Sequence, residues 1–295
     1  MFGVKKMEMK ASTTEEINPA KQMQLQDINI YYEHYPNGKP DAPVIILIHG
    51  FLSSCFSFRM LIPLLKEHFH IFAIDLPGFG QSEKSRKFMY SLKNYGQLIV
   101  DFIENMNIEN AYVIGHSMGG QVAMHASRIA PDKIKKLILL GCSGYLKRPS
   151  RFIVRCSYLP FFVYVIKHWI SKKGVRENLL TVVHNPSLID DDLINGYALP
   201  FNDKETFHAL IRVLRHREGD MQQEELQQIN HPILLLWGKY DQVIPLPVGE
   251  RMVNDLPNAK LKVYENAGHL LPEEIPEEIS EEICGFLDIA KLKQM

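Results

Sequence analysis

Residues 111–122 read AYVIGHSMGGQV, and this short stretch decides the fold. An apolar run, AYVI, meets Gly115-His116-Ser117-Met118-Gly119, and a helix-like segment, GQVAMHASRIA, follows from Gly120. Glycine is a poor former of strands and helices, so three glycines around one serine mark a place that side chains would obstruct. The pattern G-x-S-x-G between a strand and a helix has a physical reading. A sharp turn forces the serine into a strained backbone and lifts its hydroxyl above the edge of a sheet. The helix start beneath it also favours developing negative charge.

Outward from this turn, strand and helix alternate. Short apolar runs at 44–48 (VIILI), 70–75 (HIFAID), 135–140 (KKLILL), 232–238 (PILLLWG) and 260–265 (KLKVYE) suit strands of a buried sheet. Helical patterns fall between them at 55–67, 95–106, 119–129 and 247–256, and a last one at 276–289. Residues 25–34 partly alternate apolar and polar before a Pro36-Asn37-Gly38 turn, as an antiparallel edge does. This pattern predicts an α/β fold with a mostly parallel, doubly wound sheet. The rhythm stops after Leu140. Residues 147–222 hold no β-like run and read as helices at 152–170, 175–183, 187–197 and 204–217, the last with Asn202 as its N-cap. The expected organisation is a flexible tail at 1–22, a core built from 23–146 and 223–295, and a helical cap at 147–222 inserted in it. The most apolar stretch, YLPFFVYVIKHWI at 158–170, is too short to span a bilayer and carries Lys167 and His168. It is expected to be a buried helix rather than an interfacial one.

Bulk properties narrow the function. The chain has 295 residues, 46% hydrophobic and 23% charged, with a formal net charge of −1. That balance gives no argument for nucleic acid or for an anionic membrane surface. The 4 cysteines lie far apart without a CxxC pair, which argues against a zinc or redox site and for reduced core thiols in a cytoplasmic setting. The first residues lack the apolar region of a secretory signal, and no integral membrane segment is expected.

A serine is a weak nucleophile at neutral pH and needs a base, which in turn needs a group that holds its tautomer. Of 12 histidines, His269 in ENAGHLLPEE follows the last strand and so falls at the carboxyl end of the sheet, beside Ser117. Asp241 in WGKYDQVIP follows the preceding strand and falls at the same end. His116 is expected to point away from the serine, and His49 to shape its loop. The order Ser117, Asp241, His269 is that of a triad on an α/β sheet. Two backbone N–H groups would hold the oxyanion of a tetrahedral intermediate, those of Met118 and of Phe51 in the loop after VIILI; losing one such donor costs about 3–4 kcal/mol. This chemistry needs neither a metal ion nor an organic cofactor.

The chain resembles the α/β-hydrolases, in the capped, epoxide-hydrolase-like branch. The resemblance rests on HGF at 49–51, DLPGFGQS at 75–82, GHSMGG at 115–120, GKYDQVIP at 238–245 and AGHLLPEE at 267–274, in family order over residues 25–290. Epoxide hydrolases and haloalkane dehalogenases of that family use an aspartate where this chain has Ser117. The GGSWGG elbow of proline iminopeptidases is absent. C–C hydrolases of ring-fission diketones carry a tryptophan after the histidine where this chain has Leu270. DLPGFGQS is expected to be a tight turn supporting the pocket wall. The resemblance implies a serine hydrolase whose partner is a small-molecule ester substrate, small to medium in size and largely apolar. Phe152, Leu159, Phe161, Phe162, Val163 and Trp169 are available to line its pocket. Two alternatives stay open: C–C hydrolysis, with Arg212, Arg215 or Arg217 holding a substrate carboxylate, and a slow-turnover ligand sensor.

Overall fold

Apolar residues in the predicted strands alternate between two faces, and each face is buried. The computed structural model describes residues 19–289, and the side chains of residues 169–173, Trp169 among them, lie outside the described residues. Eight strands form one sheet: β1 (Ala20–Leu25), β2 (Ile28–Tyr35), β3 (Val44–Ile48), β4 (His70–Ile74), β5 (Ala111–His116), β6 (Ile134–Leu140), β7 (Ile233–Gly238) and β8 (Ala259–Tyr264). Their order is β1-β2-β4-β3-β5-β6-β7-β8. The pairs β1/β2 and β2/β4 are antiparallel and all others are parallel. Along β3, Ile46 and Ile48 join one buried cluster while Ile45 and Leu47 join the other. This period of two is what a sheet covered on both faces requires. Each such buried side chain contributes about 1.5–3 kcal/mol.

Helices supply the two covers: α1 (Ile62–Leu65), α2 (Leu92–Asn105), α3 (Met118–Ile129), α4 (Arg151–Cys156), α5 (Phe162–Val182), α6 (Asp191–Ala198), α7 (Lys204–His216), α8 (Gln223–Leu226), α9 (Leu246–Asp255), α10 (Leu271–Glu274) and α11 (Pro276–Phe286). Leu98, Phe102 and Val122, from α2 and α3, pack into the cluster that holds Ile46, and Leu65 and Ile279, from α1 and α11, into the other.

Several boundaries differ from the sequence reading. Strand β1 starts at Ala20, so residues 20–22 belong to the sheet and not to the tail. Gln26 and Asp27, at φ of 51° and 61°, close the β1–β2 hairpin. The helix expected at 55–67 is a short 3₁₀ turn, Cys55–Phe58, followed by α1. The helix expected at 152–170 is broken before Phe162, where Pro160 interrupts the pattern. Gly174, at φ 71°, kinks α5. The N-cap of α7 is Asp203, whose carboxylate accepts the Glu205 N–H at 2.9 Å, and not Asn202.

Helices α4 to α7 all lie between β6 and β7, and no strand interrupts them among the described residues. The two chain crossings to this insert clasp each other: the Asp220 N–H donates to the Leu146 carbonyl at 2.8 Å. Next to them, the Glu218 carboxylate caps α2 by accepting the Leu92 and Lys93 N–H groups at 2.9 and 2.8 Å. No helix of the described residues is long and apolar enough to cross a membrane.

Candidate active site

Parallel strands place their carboxyl ends on one rim, and β3, β5, β7 and β8 each end there in a loop bearing a predicted residue. Ser117 follows β5 at φ 53° and ψ −119°, a conformation that costs on the order of 1–3 kcal/mol for a non-glycine residue. Neighbours hold it there. Its N–H donates to the Leu140 carbonyl at 2.9 Å, and its carbonyl accepts from Gly120 at 3.0 Å and Ser143 at 3.1 Å. The glycines are steric necessities. A Cβ on Gly119 would stand 2.2 Å from the Ile48 carbonyl oxygen, and one on Gly115 would stand 2.4 Å from that of Gly119. At Gly120 it would meet Cys142 Sγ at 2.3 Å, a packing constraint on α3.

Asp241 and His269 meet across the rim. His269 Nδ1 lies 2.7 Å from Asp241 Oδ2, and both side chains are buried. The other carboxylate oxygen accepts the N–H groups of Val243 and Ile244, each at 2.8 Å. Both oxygens are therefore acceptors, so His269 donates from Nδ1 and keeps its lone pair on Nε2. The Asp241 loop is pinned from below by the buried Trp237, whose indole N–H donates to the Ile244 carbonyl at 2.9 Å. Among the described residues no hydrogen bond joins Ser117 to His269, a looseness common before substrate binds.

The loop after β3 holds a second pair of features. His49 accepts the Leu76 N–H on Nε2 at 3.0 Å, so its proton sits on Nδ1 and is donated to the Gly50 carbonyl at 2.7 Å. Burial pushes the His49 pKa down and keeps the ring neutral. That carbonyl and the Phe51 N–H belong to one planar peptide and point opposite ways. His49 thus fixes the direction of the Phe51 N–H, which is the loop-shaping role expected of it. Among the described residues neither the Phe51 nor the Met118 N–H is taken by an acceptor. For Met118 this follows from its place in the first turn of α3.

A family model for the alpha/beta hydrolase fold matches residues 43–153 and 197–276. The chain is also 46% identical over 273 residues to the uncharacterized hydrolase YugF of Bacillus subtilis (strain 168), spanning 92% of this chain and 99% of that one. The chain belongs to the α/β-hydrolase family. Among solved structures, the hydrolase is similar to a meta-cleavage product hydrolase from Pseudomonas fluorescens IP01, with a TM-score of 0.75, 21% identity and coverage of 92% and 98% of the two chains. That likeness is one of fold. A putative lipase from Acinetobacter baumannii AYE matches with a TM-score of 0.75, 25% identity and 92% of each chain.

Two side chains of the hydrolase act on the His269 backbone in ways the sequence does not signal. His116, expected to point away from Ser117, reaches the His269 carbonyl with Nε2 at 2.9 Å. Burial, aided by the nearby His269 ring, pushes its pKa down to about 3, so it is a neutral donor. Glu274 is the larger omission. Its Oε1 accepts the N–H groups of Gly268 at 3.0 Å and Leu270 at 3.2 Å, on either side of His269. Its Oε2 accepts the His184 N–H of the insert at 2.7 Å. The His269 N–H itself donates to the Val182 carbonyl at the end of α5, at 2.8 Å. In sequence, Glu273-Glu274 reads as ordinary acidic charge on a short helix, and nothing signals that one of the pair folds back.

Other expectations fall differently. Phe152, Leu159 and Phe161 are exposed and line no interior pocket, while Val163 packs against the core and Phe162 is half-buried. Arg215 is bound to Ser157 and Arg217 to Asp220. Arg212 Nη1 and Arg217 Nε are both buried without a hydrogen-bond partner, and of these two arginines Arg212 is the one in no ion pair among the described residues. In DLPGFGQS, Asp75 holds the turn by accepting the Cys55 and Gln81 N–H groups, each at 2.7 Å.

Proposed function

We propose that this hydrolase cleaves carboxylic esters of small to medium, largely apolar substrates through an acyl-enzyme. The observation that carries the reading is the convergence on one rim of a strained serine, a carboxylate-held histidine and two untaken N–H groups. Ser117 Oγ attacks the acyl carbon while His269 Nε2 takes its proton. The oxyanion accepts from Phe51 and Met118. Asp241 holds the His269 tautomer and stabilises the imidazolium. His269 then protonates the leaving alcohol. Water attacks the acyl carbon as His269 Nε2 takes its proton, and the tetrahedral intermediate then collapses by breaking the bond to Ser117 Oγ, which receives that proton from His269 as the acid departs. Apart from the substrate and that water, every step uses groups of the chain itself.

Residues 147–222 act in this reading as a cap over the site. The support is the grip of Val182 and His184 on the His269 loop, together with the burial of Ser117, 8% exposed. Substrate enters when the insert moves. Phe162 and Val163 are the expected wall residues left to read acyl length.

A panel of p-nitrophenyl esters of graded acyl length, with a ring-fission diketone alongside, tests the proposal. Fast multiple turnovers on an ester are expected, and Ser117→Ala should remove them, by up to roughly a millionfold. Faster diketone cleavage would turn the reading to C–C hydrolysis, with Arg212 as the cation to examine. A few slow turnovers on everything would make the protein a sensor.

A further inference from the structure

Between Leu146 and Arg176 the chain carries 8 lysines and arginines and no aspartate or glutamate. The balance of −1 over the whole molecule hides this segregation. The same segment shows the most exposed aromatic side chains among the described residues. Phe152 on α4 is 76% exposed and Phe161, at the start of α5, is 73% exposed, with Tyr158, Leu159, Tyr164 and Val165 also in solvent. On α5 the sidedness is regular. Phe161, Tyr164 and Val165, spaced as one helical face, point outward, while Val163 and Ile166 hold the opposite face to the core. On α4, Arg151 and Arg155 stand one turn apart beside Phe152, and all three are exposed. Among the described residues no ion pair engages Lys147, Arg148, Arg151, Arg155 or Lys167. All of α5 lies outside the stretches that match the family model, while Arg151 and Phe152 of α4 lie at the end of the first of them.

Exposed aromatic groups in a patch mark a surface that meets something apolar. Unpaired cations of a single sign around the patch mark a negatively charged occupant. A second copy of the chain would bring the same cations face to face. A bilayer of anionic phospholipid meets both demands, since rings enter at headgroup depth and Lys and Arg stay among the phosphates. We propose that α4 and the first turns of α5 form an interfacial face that seats the protein on an anionic phospholipid surface. The insert is then the side of the molecule turned toward the lipid, and the site beneath it opens toward that phase. The proposal is independent of the ester reading, because binding is measured without substrate.

The test is flotation of the full-length protein with vesicles of phosphatidylcholine alone, or of equal parts phosphatidylcholine and phosphatidylglycerol. Binding to the anionic vesicles and not to the neutral ones is expected, weakening as salt is raised. Arg151→Gln with Arg155→Gln should weaken it about 25-fold, from a factor of about five for each cation at the surface. Phe152→Ser with Phe161→Ser should weaken it by roughly tenfold or more for each ring. All four side chains are exposed, so melting temperatures should stay near wild type. If one pair fails to fold, the other pair and the salt titration still decide. Equal flotation with both vesicle types, no flotation, or undiminished flotation of the variants overturns the proposal. So does a dimer in lipid-free sedimentation that the Phe152→Ser, Phe161→Ser pair dissolves, since the face would then belong to a second copy.

Discussion

Glu274→Ala separates a base held by its own side-chain partner from one held by its backbone. Glu274 accepts three N–H groups at 2.7–3.2 Å, and two of the donors, Gly268 and Leu270, are buried on either side of His269. Leaving a buried N–H without an acceptor costs about 1–3 kcal/mol, so the two amount to roughly 2–6 kcal/mol. The third donor, on the exposed His184, finds water at little cost. Water also enters part of the vacated space, which favours the lower half of that range. At about 2–4 °C per kcal/mol for a domain of this size, the melting temperature should fall by roughly 5–10 °C. The kinetic effect should exceed what melting alone predicts. A shift of about 1 Å in a reacting group costs on the order of a hundredfold, so kcat on an activated ester should drop ten- to a hundredfold with KM little changed. Glu274→Gln is the control. Burial raises the Glu274 pKa even against the pull of its N–H partners, so an uncharged acceptor is tolerated there. Glutamine keeps one oxygen for Gly268 and Leu270 and should recover most of both losses. An alanine variant that melts early but keeps wild-type kcat would refute the positioning argument. A glutamine variant as damaged as alanine would assign the effect to charge instead.

Asp241→Asn should leave KM near wild type and lower kcat by about 10⁴, the effect of the corresponding change in another serine hydrolase, because the amide favours the wrong His269 tautomer; steady-state kinetics on one ester suffice. Gly119→Ala should abolish the folded, active protein, since its Cβ meets the Ile48 carbonyl, whereas Gly285→Ala, with open space around it, should melt like wild type. Glu273 is buried and its pKa is raised to about 7 by that burial, against the pull of Arg59 and Tyr197. A raised carboxyl binds more protons folded than unfolded, so stability should fall by about 3 kcal/mol as pH rises from 4.5 to 7. Glu273→Gln should flatten urea-denaturation stability across that window, and an unchanged slope would assign the pH dependence to another group.

The alternation of buried runs and helices was legible because periodicity records which faces are covered. VIILI suits a strand buried on both sides, and its parallel pairing with β4 and β5 bears that reading out. The same logic assigns Ser117, Asp241 and His269 to one rim from the sequence, since residues that follow parallel strands share an edge. The glycines of GHSMGG announced a crowded turn, and the carbonyls of Ile48 and Gly119 are what crowd it.

Only the tertiary structure decided what grips the His269 loop and which way the apolar insert faces. The Glu274 carboxylate and the Val182 carbonyl hold that loop by accepting its backbone N–H groups, which every non-proline residue carries and no sequence pattern distinguishes. The run 158–170, expected to be buried, turns Phe161 and Tyr164 to solvent because burial depends on what lies opposite a helix, and hydrophobicity measures only what the helix offers. The net charge misled in the same way. A sum over 295 residues cancels a cationic face that becomes one surface only when α4 and α5 stand together.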